Sequence, residues 1–151
     1  MNEYHALFLE GIREFDFGKR VEGQWGLIAK GEDALPLLVA LLKHPDPEAR
    51  SDAAGGLGHL RESSPHIEQA LVAALRDAAS NEERDSTLVA LGQLRSKAAL
   101  PLVAALIRNE GTDGDTKELA ISTLGQIVRR RFDRQPDRGD AARDYLDGAG
   151  L

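Results

Sequence analysis

The sequence predicts an all-α chain, a solenoid of about four stacked helix pairs closed by a short C-terminal helix. Three observations carry that expectation. A glycine-centred motif recurs at a nearly constant spacing, apolar residues flank each copy at helical offsets, and proline and capping signals fall at the corners between copies. The motif is an apolar residue, glycine, a spacer and another apolar residue. It stands at Leu57-Gly58-His59-Leu60, Leu91-Gly92-Gln93-Leu94 and Leu124-Gly125-Gln126-Ile127, with glycines 34 and 33 residues apart. A looser copy, Trp25-Gly26-Leu27-Ile28, lies 32 residues earlier. A period this regular marks supersecondary units that bury their apolar faces by stacking on one another.

The first unit is the irregular one. Tyr4, Leu7, Phe8 and Ile12 define its first helix, and Val21, Trp25 and Ile28 the second, although Glu22 falls where later copies are apolar. In the second unit, Leu35, Leu37, Leu38, Leu41 and Leu42 precede Ala53, Ala54, Leu57 and Leu60. In the third, Ile67, Ala70, Leu71, Ala74 and Leu75 precede Thr87, Leu88, Leu91 and Leu94. In the fourth, Leu100, Leu102, Val103, Leu106 and Ile107 precede Ala120, Ile121, Leu124 and Ile127. Offsets of three and four place each set on one helical stripe.

The corners carry matching signals. Pro36 and Pro101 sit early in their helices, where the missing N–H has no partner to lose. Ser64-Pro65 and Asp46-Pro47-Glu48 each combine a capping residue with proline at the first helical position. Ser80 with Glu83 fits a capping box. Asn109 to Asp115 is expected to be the longest turn. Arg50, Arg84 and Lys117 recur at one phase and are expected to bridge neighbouring units. A mid-helix glycine costs about 1 kcal/mol relative to alanine, so its recurrence at one phase predicts close helix crossings.

These residues, with Asp46-Pro47-Glu48-Ala49-Arg50 opening one copy, resemble HEAT-like repeats of the phycobilisome-lyase type. The resemblance covers residues 31–130 well and 2–29 loosely. It implies a right-handed α-solenoid, one domain over 1–151, with repeats at about 2–30, 31–63, 64–96 and 97–131 and a capping segment at 132–151. Proteins of this build include scaffolds, adaptors, lyase subunits and a few enzymes, so the resemblance is informative for fold and poor for function.

Composition bounds the function. The chain has 151 residues, no cysteine, and 25 acidic against 19 basic side chains, for a formal charge of −6. Thiol catalysis and thiolate metal sites are excluded. An acidic chain has a weak start as a non-specific nucleic-acid binder. No run approaches the length of a membrane span, and a cytoplasmic location is expected.

No P-loop, dinucleotide fingerprint, zincin or nucleophile-elbow motif is present. His59, Glu62 and Asp52 could be imagined around a metal, but a solvated face is the plainer reading. No catalytic residue and no cofactor is assigned. The expected function is a non-catalytic adaptor or scaffold that binds a protein segment. An inhibitor or immunity-type protein and a bilin lyase-like chromophore handler are the alternatives. The second helix of each pair is expected to line a concave groove. Its rungs are Lys19 with Gly23 and Leu27; Ser51, Gly55 and His59; Asp85, Val89 and Gln93; and Glu118, Ser122 and Gln126, with Arg20, Asp52 and Ser86 beside them. The acids Asp52, Asp85 and Glu118 point to a basic or helical partner.

Two features lie outside this frame. Five of the seven aromatic residues, Tyr4, Phe8, Phe15, Phe17 and Trp25, fall in the first 25 positions. They are expected to seal the core of an end unit, with an exposed docking site as the alternative. Arg129, Arg130, Arg131 and Arg134 form a basic patch, expected to complement a helix dipole, with an anionic-partner site as the alternative. Asp140 to Leu146 is expected as a short capping helix, followed by a fraying tail.

Overall fold

The computed structural model describes residues 2–151, and among these every regular element is helical. The α-helices are α1 (Glu3–Glu14), α2 (Phe17–Ala29), α3 (Leu35–Leu41), α4 (Pro47–Leu60), α5 (Pro65–Asp77), α6 (Asn81–Gln93), α7 (Leu100–Arg108), α8 (Gly114–Val128) and α9 (Arg138–Ala149). Short 3₁₀ turns precede α3, α7 and α9.

The helices pack in sequential pairs, α1 on α2, α3 on α4, α5 on α6 and α7 on α8. Across pairs, α2, α4, α6 and α8 contact one another in series and make a continuous inner row. The outer row is joined through α5, α7 and α9. This is the arrangement a solenoid requires, since no pair covers its own apolar stripe without the next. Ala53, Ala54 and Leu57, then Thr87, Leu88 and Leu91, then Ala120, Ile121 and Leu124 are all buried, as their common template predicts. The buried Thr87 hydroxyl donates to the Glu83 carbonyl at 2.7 Å, which satisfies it inside the helix.

The corners form through the residues singled out for them. Asp46 accepts from the backbone N–H of Glu48 and Ala49, Ser64 from Ile67 and Ser80 from Glu83. Such caps contribute about 1 kcal/mol each. The expected capping box is only half made, because the Glu83 carboxylate turns to Arg50 across the pair boundary. Of the three recurring cations, Arg50 therefore bridges neighbouring pairs, whereas Arg84 bonds Asn81 within its own helix.

The glycines mark close crossings, but not four equivalent ones. A Cβ on Gly58 would meet Gln93 Oε1 and lie 2.9 Å from Ala90 Cα on the next inner helix. One on Gly92 would meet Gln126 Oε1 and Thr123 in the same relation. Gly125 has no following pair, and its space is closed by the Arg130 carbonyl at 2.6 Å. Gly26 departs from the pattern, facing Tyr4 within its own pair. The first pair is instead locked by Gly23, against the Phe8 backbone, and Gly11, against the Arg20 backbone.

That shift of phase overturns the first rung. Gly23 and Leu27 are buried against α1 rather than facing the inner surface, and Trp25 is 51% exposed rather than buried. Phe15 and Phe17 are exposed as well, so of the first-unit rings only Phe8 is fully in the core. At the other end, α9 is longer than expected and closes with Gly150 in the left-handed region. Its last residues are joined to α7, where Arg108 donates to the Leu151 carbonyl and pairs with Asp147.

Candidate functional site

The outer surface of α2, α4, α6 and α8 carries two of the anticipated rows, now with their contacts visible. The position after each glycine holds His59, Gln93 and Gln126, and each of these side chains reaches back over the preceding inner helix. His59 meets the Trp25 ring, with centroids 5.0 Å apart. Gln93 and Gln126 fill the space left by Gly58 and Gly92. Three residues before the glycines stand Gly55, Val89 and Ser122, of which Val89 and Ser122 are exposed. Phe17, Trp25 and Val89 are the large apolar side chains that these four helices leave open to solvent. The α2 surface thus exposes a Trp25 ring that the sequence phase had placed in the core.

Several anticipated surface residues are occupied in holding the helices together. Lys19 bonds Glu10 and Glu14 of α1, each at 2.8 Å. The Ser51 and Ser86 hydroxyls meet at 2.6 Å across the α4–α6 seam, and Ser51 is buried. Thr116 donates to Asp85 at 3.0 Å across the α6–α8 seam. Glu118 pairs with Arg138 of α9.

Arg20 and Asp52 form the most polar junction of the row. Arg20 contacts Glu48, and its Nε lies 2.8 Å from Asp52 Oδ2. That Nε–H makes no aligned hydrogen bond, so the contact is an ion pair rather than a fork. The Arg20 guanidinium also covers the Phe17 ring at 5.3 Å. Gln24 donates to the Asp52 backbone carbonyl at 2.8 Å. Burial pushes the Asp52 carboxyl up to about 6, outweighing the attraction of Arg20. The three acids that pointed to a basic partner, Asp52, Asp85 and Glu118, are therefore each engaged within the chain.

The basic patch splits into separate roles. Arg131 pairs with Asp133 at 3.3 Å, and Arg130 lies over the Tyr145 ring at 5.2 Å. Arg134 ends the 3₁₀ turn before α9 and is exposed. Arg129 caps α8 and, with Arg95, Arg130, Arg131, Ser122 and Gln126, lines a surface cleft of about 480 Å³. Arg95 and its counterpart Arg61 were not anticipated. Their signal was the repeat period itself, since Arg61, Arg95 and Arg129 are spaced 34 residues apart.

Among the described residues, no three His, Asp or Glu converge to hold a metal ion, and no helix is long and apolar enough to cross a membrane.

Stacked helix pairs with their polar residues spent on inter-pair seams define a helical-repeat protein. Residues 29–61, which contain α3 and α4, match the family of Armadillo/beta-catenin-like repeats. Repeats of this kind are typically protein-interaction modules and are generally non-enzymatic. No curated protein matches the chain.

Proposed function

We propose that the chain is a non-catalytic adaptor or scaffold that holds a protein segment along its inner helix row. In this reading it is a right-handed, cytoplasmic solenoid of four HEAT-like pairs over residues 2–30, 31–63, 64–96 and 97–131, capped by 132–151, and the inner row is its concave face. The observation that carries the reading is the exposed Trp25 ring of α2, tilted against His59 of α4, with Val89 exposed further along the inner row on α6. Aromatic anchors of this kind dominate binding energy at protein interfaces, and a rigid helix row presents them without ordering cost. Gly55 and Ser122 leave room beside them for backbone.

Affinity capture from native lysate with the parent chain and with Trp25→Ser/Val89→Glu tests the reading. The double variant should lose a protein that the parent and an outer-row control, Gln69→Glu, both retain. Retention of the same protein by all three baits would refute the inner row as the binding surface. Trp25 is the single tryptophan, so its emission reports occupancy directly.

A further inference from the structure

We propose that Arg61, Arg95 and Arg129 form a ladder that docks an acidic polypeptide segment along the C-terminal edge of the inner row. The proposal rests on that row being the working surface and names the chemistry of its partner. Each arginine follows the end of an inner helix in the left-handed region, with φ of 54°, 52° and 59°. Each backbone N–H closes onto the carbonyl of its own repeat glycine, Gly58, Gly92 or Gly125. The backbone therefore asks three times for glycine or asparagine at this position, and three times the chain supplies arginine. Helix-dipole complementarity explains a cation near each terminus, but it is served equally from the preceding turn and does not require a strained residue.

The side chains are available. All three are exposed, and among the described residues none has a carboxylate within 4.0 Å. This contrasts with Arg20, Arg50, Arg108, Arg131 and Arg138, all of which are paired. Between the second and third rungs lies the cleft of about 480 Å³, whose walls add Ser122 and Gln126 as donors, while its one carboxylate, Asp133, is paired with Arg131. Guanidinium groups match carboxylates as planar forks.

Spacing favours a polypeptide over a nucleic acid. Neighbouring helices stand about 8–10 Å apart, and an extended chain advances about 3.3 Å per residue, so an acid at every third position meets each rung. The nearest ring in the cleft, Phe132, is buried and offers no platform on which a base could stack.

The test is fluorescence anisotropy with a labelled peptide of Glu-Gly-Ser repeats, its Lys-Gly-Ser counterpart and a labelled oligo-dT strand. The parent should bind the Glu peptide, in a salt-dependent manner, more tightly than either control. Changing all three rungs, as Arg61→Gly/Arg95→Gly/Arg129→Gly, should weaken that binding about tenfold or more. Its unfolding midpoint should be unchanged or higher, because glycine relieves the left-handed backbone. Lysine at all three positions should restore part of the affinity. No binding by the parent, equal binding by the glycine variant, or tighter binding of oligo-dT would each overturn the ladder. Those outcomes leave the groove reading standing if Trp25→Ser/Val89→Glu still loses its captured protein, so the two failures are distinct.

Discussion

Gly23→Ala should destabilise the fold by about 2 kcal/mol, although alanine is the better helix former. The new Cβ would stand 2.5 Å from the Phe8 nitrogen, 2.6 Å from its Cα and 2.7 Å from its Cβ. None of these atoms can swing aside as the end of a flexible side chain would, so α1 and α2 must separate. Overpacking of this kind costs about 1–3 kcal/mol, and contact with backbone puts it at the upper end. The gain in helix propensity returns about 1 kcal/mol. At about 2–4 °C per kcal/mol for a chain of this size, the midpoint should fall by about 4–8 °C. Gly148→Ala is the matched control, because a methyl group added there on α9 would have nothing within 4 Å. It should raise the midpoint by up to about 2–4 °C. Thermal unfolding followed by far-UV circular dichroism measures both. A Gly23→Ala midpoint at or above the parent would place Gly23 on an open face and refute the close α1–α2 crossing.

Arg50→Ala should cost about 3 kcal/mol in urea denaturation, because it strands the buried Glu83 carboxylate; Arg50→Met/Glu83→Leu should recover most of that loss, and a single-variant cost under about 1 kcal/mol would show the pair to be solvated. Arg50 holds the Glu83 carboxyl below its ordinary range, so this contribution is present above the unfolded value and is lost as pH falls through the folded one. Asp52 has the opposite sign. Its carboxyl is raised to about 6, so its contribution is present at low pH and is lost as pH rises through about 6. Asp52→Asn should therefore reduce the decline in stability between acidic and neutral pH, and a carboxyl titration of Asp52 by NMR with a midpoint near the ordinary value of about 4 would contradict the burial argument.

The repeat was legible because stacking imposes the same local demands on each pair. Leu57, Leu91 and Leu124 recur with their glycines since each is fully buried at the same phase of its helix. Asp46, Ser64 and Ser80 could be placed because capping depends on residues three positions apart. The first pair was misread for a physical reason. Its glycines, Gly11, Gly23 and Gly26, each face the other helix of the same pair, and the pattern Trp25-Gly26-Leu27-Ile28 imitates the motif while rotated about the helix. The candidate site was less legible still. Helical phase grouped Ser51, Asp85 and Glu118 in one row, but their partners, Ser86, Thr116 and Arg138, lie on other helices.

Sequence alone determined what is local or periodic: that the chain is helical, where its corners fall, and which side chains fill the core between pairs. Tertiary structure decided which polar groups on the inner face are consumed by the seams and which remain free, from the paired Asp52 to the unpaired Arg61, Arg95 and Arg129. The division follows from range. Helix periodicity and capping are set within a few residues, whereas the availability of a charge depends on groups that only folding brings within bonding distance.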